Sequence, residues 1–100
     1  MKIFFKNDSV EAVATSLTTA LAGMELPVTV VITPKDSDLI VAIKKMGTSY
    51  LTVTATRADA GLSFDLTNQE VAWVHKSHID DVKAALKDIV VKAGGSVLEG

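Results

Sequence analysis

The chain contains no cysteine. Disulfides, thiolate nucleophiles and Cys-based zinc or iron–sulfur sites are therefore excluded. A reducing compartment suits such a chain, and a cytoplasmic location is expected. Basic clusters are scarce as well. Lys44-Lys45 and Lys76 beside His75 are the local basic pairs, and the formal net charge is −2. Tracking a phosphate backbone takes a basic face, so nucleic acid is not an expected partner. No stretch reaches the roughly 18–20 apolar residues that span a bilayer. Ala20-Leu21-Ala22-Gly23 has the small residues of a signal-peptidase site, but Lys6, Asn7, Asp8 and Glu11 interrupt the segment before it. An apolar h-region does not tolerate that, and a helix is the expected reading.

Catalytic signatures are missing too. There is no Gly-x-Ser-x-Gly elbow, no Gly-x-Gly-x-x-Gly and no P-loop. Gly94-Gly95 follows a helical pattern, whereas phosphate loops precede one. Asp36, Asp38 and Asp59 fall in expected turns, where Asp bonds nearby backbone. Asp80 and Asp81 suit a helix start. His75 and His78 are the only histidines. On one helix they would stand i,i+3, yet a tetrahedral zinc site needs further ligands. No catalytic residue, cofactor or metal site is expected.

The scarcest commodity is charge in the N-terminal third. Between Glu11 and Lys35 the chain carries one charged residue, Glu25. A soluble domain normally breaks so long a stretch with several solvated ions. This region therefore meets water on little of its surface, which points to burial and association rather than to chemistry. Aromatics are also few: Phe4, Phe5, Tyr50, Phe64 and Trp73. Aliphatic side chains must fill most of the core. One hundred residues suffice for one domain, 1–100.

What is present is strong patterning. Met1 to Lys6 reads as a short strand or apolar anchor. Asp8 and Glu11 stand as cap and N3 of a first helix. Val10, Val13, Ala14, Leu17, Leu21 and Met24 form its apolar stripe, and Gly23 its stop. The opposite side carries Ala12, Thr15, Ser16, Thr19 and Ala22, all small and uncharged. Four apolar runs follow: Val28 to Thr33, Leu39 to Lys44, Tyr50 to Thr56 and Leu62 to Thr67. The turn between the first two is expected at Thr33 to Ser37, with Pro34 at its first central position. The next turns are expected at Met46 to Ser49 and Arg57 to Gly61. Connections this short forbid parallel crossovers, so the runs form an antiparallel meander.

Alternation assigns the faces. Val28, Val30, Ile32, Leu39, Val41, Ile43, Leu51, Val53, Leu62, Phe64 and Leu66 share one face, which helices must cover. Val31, Ile40, Ala42, Tyr50, Thr52 and Thr54 belong to the other, Thr-rich and sparsely charged. Residues 68–76 fit a helix slightly better than a fifth strand, with Thr67 and Glu70 as a capping box. A last helix has Ser77 as cap, Ile79, Val82, Leu86, Ile89 and Ala93 as stripe, and Gly94-Gly95 as stop. Val97 and Leu98 either tuck back or belong to a loose tail.

The expected architecture is α+β and two-layered: an antiparallel meander of four to five strands with N- and C-terminal helices packed on one face. The expected function is a small non-catalytic binding or assembly module, and the expected partner a second copy in a homodimer or another protein. Its contact surface would be the open-face residues Val31, Ile40, Ala42, Tyr50, Thr52 and Thr54. The alternative is a small-molecule-binding protein or enzyme with a cavity between sheet and helices, in which His75 or Tyr50 supplies the polar group.

Overall fold

A computed structural model of the chain describes residues 2–7, 9–26, 28–72, 76 and 79–99. The elements run β1 (Lys2–Phe5), α1 (Val10–Ala22), β2 (Thr29–Lys35), β3 (Asp38–Lys44), β4 (Thr48–Ala58), β5 (Gly61–Glu70), α2 (Ile79–Lys92) and β6 (Ser96–Glu99). The strands form one six-stranded antiparallel sheet in the order β2-β3-β4-β5-β1-β6. The α+β class and the meander of β2 to β5 match the sequence reading. The strand count is higher, because both chain ends join the sheet: β1 lies beside β5, and β6 beside β1.

Burial follows the alternation. Ile3, Phe5, Leu39, Val41, Ile43, Leu51, Val53, Leu62 and Phe64 of the sheet form one core with Val10, Val13, Ala14 and Leu17 of α1 and Leu86, Ile89 and Val90 of α2. Phe5 and Phe64 meet edge to face, with centroids 6.1 Å apart and planes at 88°. That is the geometry aromatic quadrupoles favour.

Local chemistry sets the element ends, and several differ from expectation. Helix α1 is capped by Ser9, whose side chain accepts the Ala12 N–H at 3.1 Å. The expected cap, Asp8, lies outside the described residues. Helix α2 carries Asp80 and Asp81 in its first turn; the expected cap Ser77 is outside the described residues. Its C-terminus is a Schellman stop: Gly94 takes φ 92°, Gly94 N–H bonds Val91 C=O, and Gly95 N–H bonds Val90 C=O.

Pro34 is not a turn residue. Strand β2 continues through Lys35, and the turn is Asp36-Ser37 with Asp36 at φ 55°. Strand β4 likewise takes in Thr48, Ser49, Arg57 and Ala58, which the sequence reading placed in turns.

Residues 68–70 are strand, which corrects the helical reading of 68–76 in that part. The cause is a bulge. Thr52 pairs with Asn68 while Val53 pairs with Leu66, so Thr67 is an extra residue. Without it, the alternation of Leu62, Phe64 and Leu66 would send Asn68 and Glu70 into the core. With it, both turn to the open side, where they are exposed. Residues 73–75 lie outside the described residues.

Candidate interaction surface

Strand registers place the expected surface residues in cross-strand rows, because directly paired residues share a face. One row runs Val31, Ala42, Tyr50, Glu70. The next runs Thr33, Ile40, Thr52, Asn68. A third runs Lys35, Asp38, Thr54, Asp65, Lys2. All six expected residues therefore lie on one face of three adjacent strands. Ala42 sits between Val31 and Tyr50, Ile40 beside Thr52, and Thr54 one row further on.

The first two rows contain no Lys, Arg, Asp or Glu across β2, β3 and β4. Val31 and Tyr50 are 42% and 43% exposed, large for apolar or aromatic side chains, and flank the small Ala42. Ile40, Ala42, Thr52 and Thr54 are half-buried. The third row is different. Lys35 and Asp38 are cross-strand partners, and so are Asp65 and Lys2. Opposite charges facing each other stabilise such pairs by a few tenths of a kcal/mol to about 1 kcal/mol.

A hydrogen-bonded chain marks the border between the neutral and charged rows. Thr54 Oγ1 donates to Asp38 Oδ1 at 2.8 Å. An ionised carboxylate only accepts, so the Thr54 proton is committed there. Thr67 Oγ1 lies 2.8 Å from Thr54 Oγ1 and must therefore be the donor in that contact. Its 3.4 Å approach to the Thr52 carbonyl is the weaker alternative for the same proton. The bulge residue thus ties β3, β4 and β5 together on the open face.

The backbone adds a further detail. Ala55 N–H bonds Ser37 C=O at 2.7 Å. This makes Asp38–Thr54 a non-hydrogen-bonded pair, and turns the Asp38 backbone groups toward β2. By alternation, Lys35, Thr33, Val31 and Thr29 point their backbone groups inward to β3. Those of Pro34, Ile32 and Val30 point out of the sheet. Pro34 thus sits where its missing N–H breaks no ladder bond.

Beside this edge runs a groove of about 340 Å³, lined by Thr18, Leu21 and Ala22 of α1 and by Val30, Val31 and Ile32 of β2. None of these residues is ionisable. The small-residue side of α1 is half-buried at Ala12 and Ser16 and exposed at Thr15, Thr19 and Ala22. The Thr15 hydroxyl donates to the Glu11 carbonyl at 3.0 Å, so its own proton is bonded within the helix.

One expectation is corrected. Tyr50 lies on the face opposite the helices, so it lines no cavity between sheet and helices. His75 and His78 lie outside the described residues. Among the described residues, no group of three or more His, Asp or Glu is gathered for a metal ion, and no helix is long and apolar enough to cross a membrane. Ser49 is a polar residue that sequence reasoning missed. It is fully buried on the core side, and its Oγ accepts the Ala72 N–H at 2.8 Å as the chain leaves β5.

No protein-family model matches the chain, and no curated protein or solved structure is detectably similar to it.

Proposed function

We propose that this chain is a non-catalytic assembly module that associates with a second copy through the open face of β2, β3 and β4. The observation that carries the reading is the pair of neutral rows, Val31–Ala42–Tyr50 and Thr33–Ile40–Thr52. An exposed aromatic and an exposed Val flank a small residue there, with charges confined to the margins at Lys35, Asp38, Lys44 and Glu70. Interfaces favour that composition: an anchor such as Tyr at the centre and a polar rim. The lack of charge also removes the desolvation cost that burying a face normally incurs.

Ala42 and Thr52, one in each neutral row, test it. Ala42→Glu and Thr52→Lys, made separately, each place a charge inside a face-to-face contact but only decorate a solvated face. Either variant is expected to fold and to sediment at lower mass than the wild type. Unchanged mass in both overturns the open-face contact.

The small-molecule reading draws its support from the groove between α1 and β2. Its lining selects for an apolar ligand. A hydrophobic dye such as ANS, displaced by such a ligand and weakened by Ala22→Asp, is its test.

A further inference from the structure

Among the described residues the sheet has two free edges, and they differ. Strand β6 is four residues long, and short edges are guarded against pairing. Strand β2 is seven residues long and carries no charge before Lys35. Among the described residues, no strand lies beside the outward N–H and C=O groups of Val30 and Ile32. The guards at this edge are Pro34 and Lys35, both at one end.

We infer that β2 pairs antiparallel with β2 of a second copy about a two-fold axis at Val31, joining two sheets into one of twelve strands. The inference shares the premise of self-association with the proposed function, but it places a separate contact at the edge rather than on the face. Three features select the occupant and the register. First, the charges at β2 gather at its end, Lys35 with Asp36 directly after it, while Thr29 to Pro34 carry none. Antiparallel self-pairing keeps the two charged ends apart, whereas a parallel approach sets Lys35 beside Lys35 and Asp36 beside Asp36. Second, centring on Val31 pairs Val30 with the other copy's Ile32 on both sides of the axis. Four N–H···O=C bonds result within β2. Centring on Ile32 would also give four, but it sets Val30 against Pro34, whose missing N–H leaves the Val30 carbonyl unpaired inside the seam; centring on Val31 puts Pro34 opposite Val28, beyond the start of β2. Third, a two-fold axis perpendicular to the sheet keeps both α1 helices on the same side. The groove places Thr18 and Ala22 of α1 beside the β2 edge, so these small neutral residues look across the seam at their counterparts. The uncharged side of α1 thereby gains a partner that tolerates close approach.

Engineered cysteines test the register, since the chain has none of its own. Val31 meets Val31 of the second copy as a non-hydrogen-bonded pair, with Cα atoms about 4.5 Å apart, inside the roughly 4.4–6.8 Å range of disulfides. Thr29 meets Thr33 in the same way. Thr33 and its own counterpart are offset by about 14 Å, too far to bridge. On mild oxidation, Val31→Cys is expected to give a linked dimer, and so is a mixture of Thr29→Cys with Thr33→Cys. Thr33→Cys alone should stay unlinked.

Cross-linking of Thr33→Cys alone as readily as Val31→Cys overturns the register. Failure of both Val31→Cys and the mixture overturns the edge contact. Repeating the set in an Ala42→Glu background separates the two contacts. The edge seam leaves Ala42 in solvent, so linkage should persist there. Linkage lost in that background refutes the edge and leaves the open-face contact standing. Linkage retained, with Ala42→Glu at wild-type mass, refutes the open face and leaves the edge standing.

Discussion

Gly61 opens β5 where β1 leaves the sheet, and its lack of a side chain is a packing requirement. A Cβ at this position would overlap the Phe5 carbonyl oxygen and lie 2.8 Å from Lys6 Cα and 2.9 Å from the Phe5 carbonyl carbon. All three atoms are backbone, so no rotamer change relieves the clash. Gly61→Ala must push β1 away from β5. Strand β1 contributes Phe5, 1% exposed, and Ile3, 4% exposed, to the core. Full burial of each is worth about 1.5–3 kcal/mol, so losing half to two-thirds of both costs about 2–4 kcal/mol. For a domain of this length each kcal/mol moves Tm by roughly 4–8 °C, which gives a fall of about 8–30 °C. Thermal and urea unfolding followed by circular dichroism read it directly. Gly23→Ala is the control. A Cβ there meets only Ala20 O at 3.8 Å, with φ at −92°. That change should be neutral or stabilise by up to about 1 kcal/mol through the unfolded chain. If Gly61→Ala leaves Tm within about 2 °C of wild type, the β1–β5 register is wrong, and with it the place of Phe5 in the core.

Three further outcomes follow from burial and bonding. Leu86→Ala should cost about 2–5 kcal/mol, because Leu86 is a core residue of α2; a loss under about 0.5 kcal/mol in urea titration would mean the stripe faces water. Two serines should respond with opposite sign. Ser49→Ala strands the Ala72 N–H beside the core and should cost about 1–3 kcal/mol, whereas Ser63 Oγ is buried without a partner, so Ser63→Ala should be neutral or stabilising by up to about 2 kcal/mol. Zinc should leave Tm unchanged; a stoichiometric, chelator-reversible rise abolished by His75→Ala would show a metal site.

The parity of the strands was legible in the sequence because Leu51-Thr52-Val53-Thr54-Ala55 and its neighbours alternate without interruption. Helices α1 and α2 were legible from their stripes, although Val90, 3% exposed, belongs to the core beside the expected Ile89. The end of β5 was not legible. The bulge at Thr67 resets the alternation, so Asn68, Gln69 and Glu70 follow neither a strand period nor a helix period with the residues before them. Strands β1 and β6 are four residues each and owe their structure to pairing with β5 and with each other. Such short segments carry too little periodic signal to be read alone.

The surface divides in the same way. Alternation alone puts Val31, Ile40, Ala42, Tyr50, Thr52 and Thr54 on one face. Their grouping into rows depends on turn lengths, Asp36-Ser37 in one hairpin and Lys45 to Gly47 in the next. The exposure of β2 as an edge depends on β1 pairing with β5. That is a long-range choice, and no local pattern announces it.

Self-association is the central claim, and sedimentation equilibrium of the wild-type chain from low to high micromolar concentration tests it most directly. A concentration-dependent rise to twice the chain mass or more is the expected result. A single species at the mass of one chain, at high micromolar concentration, would contradict it.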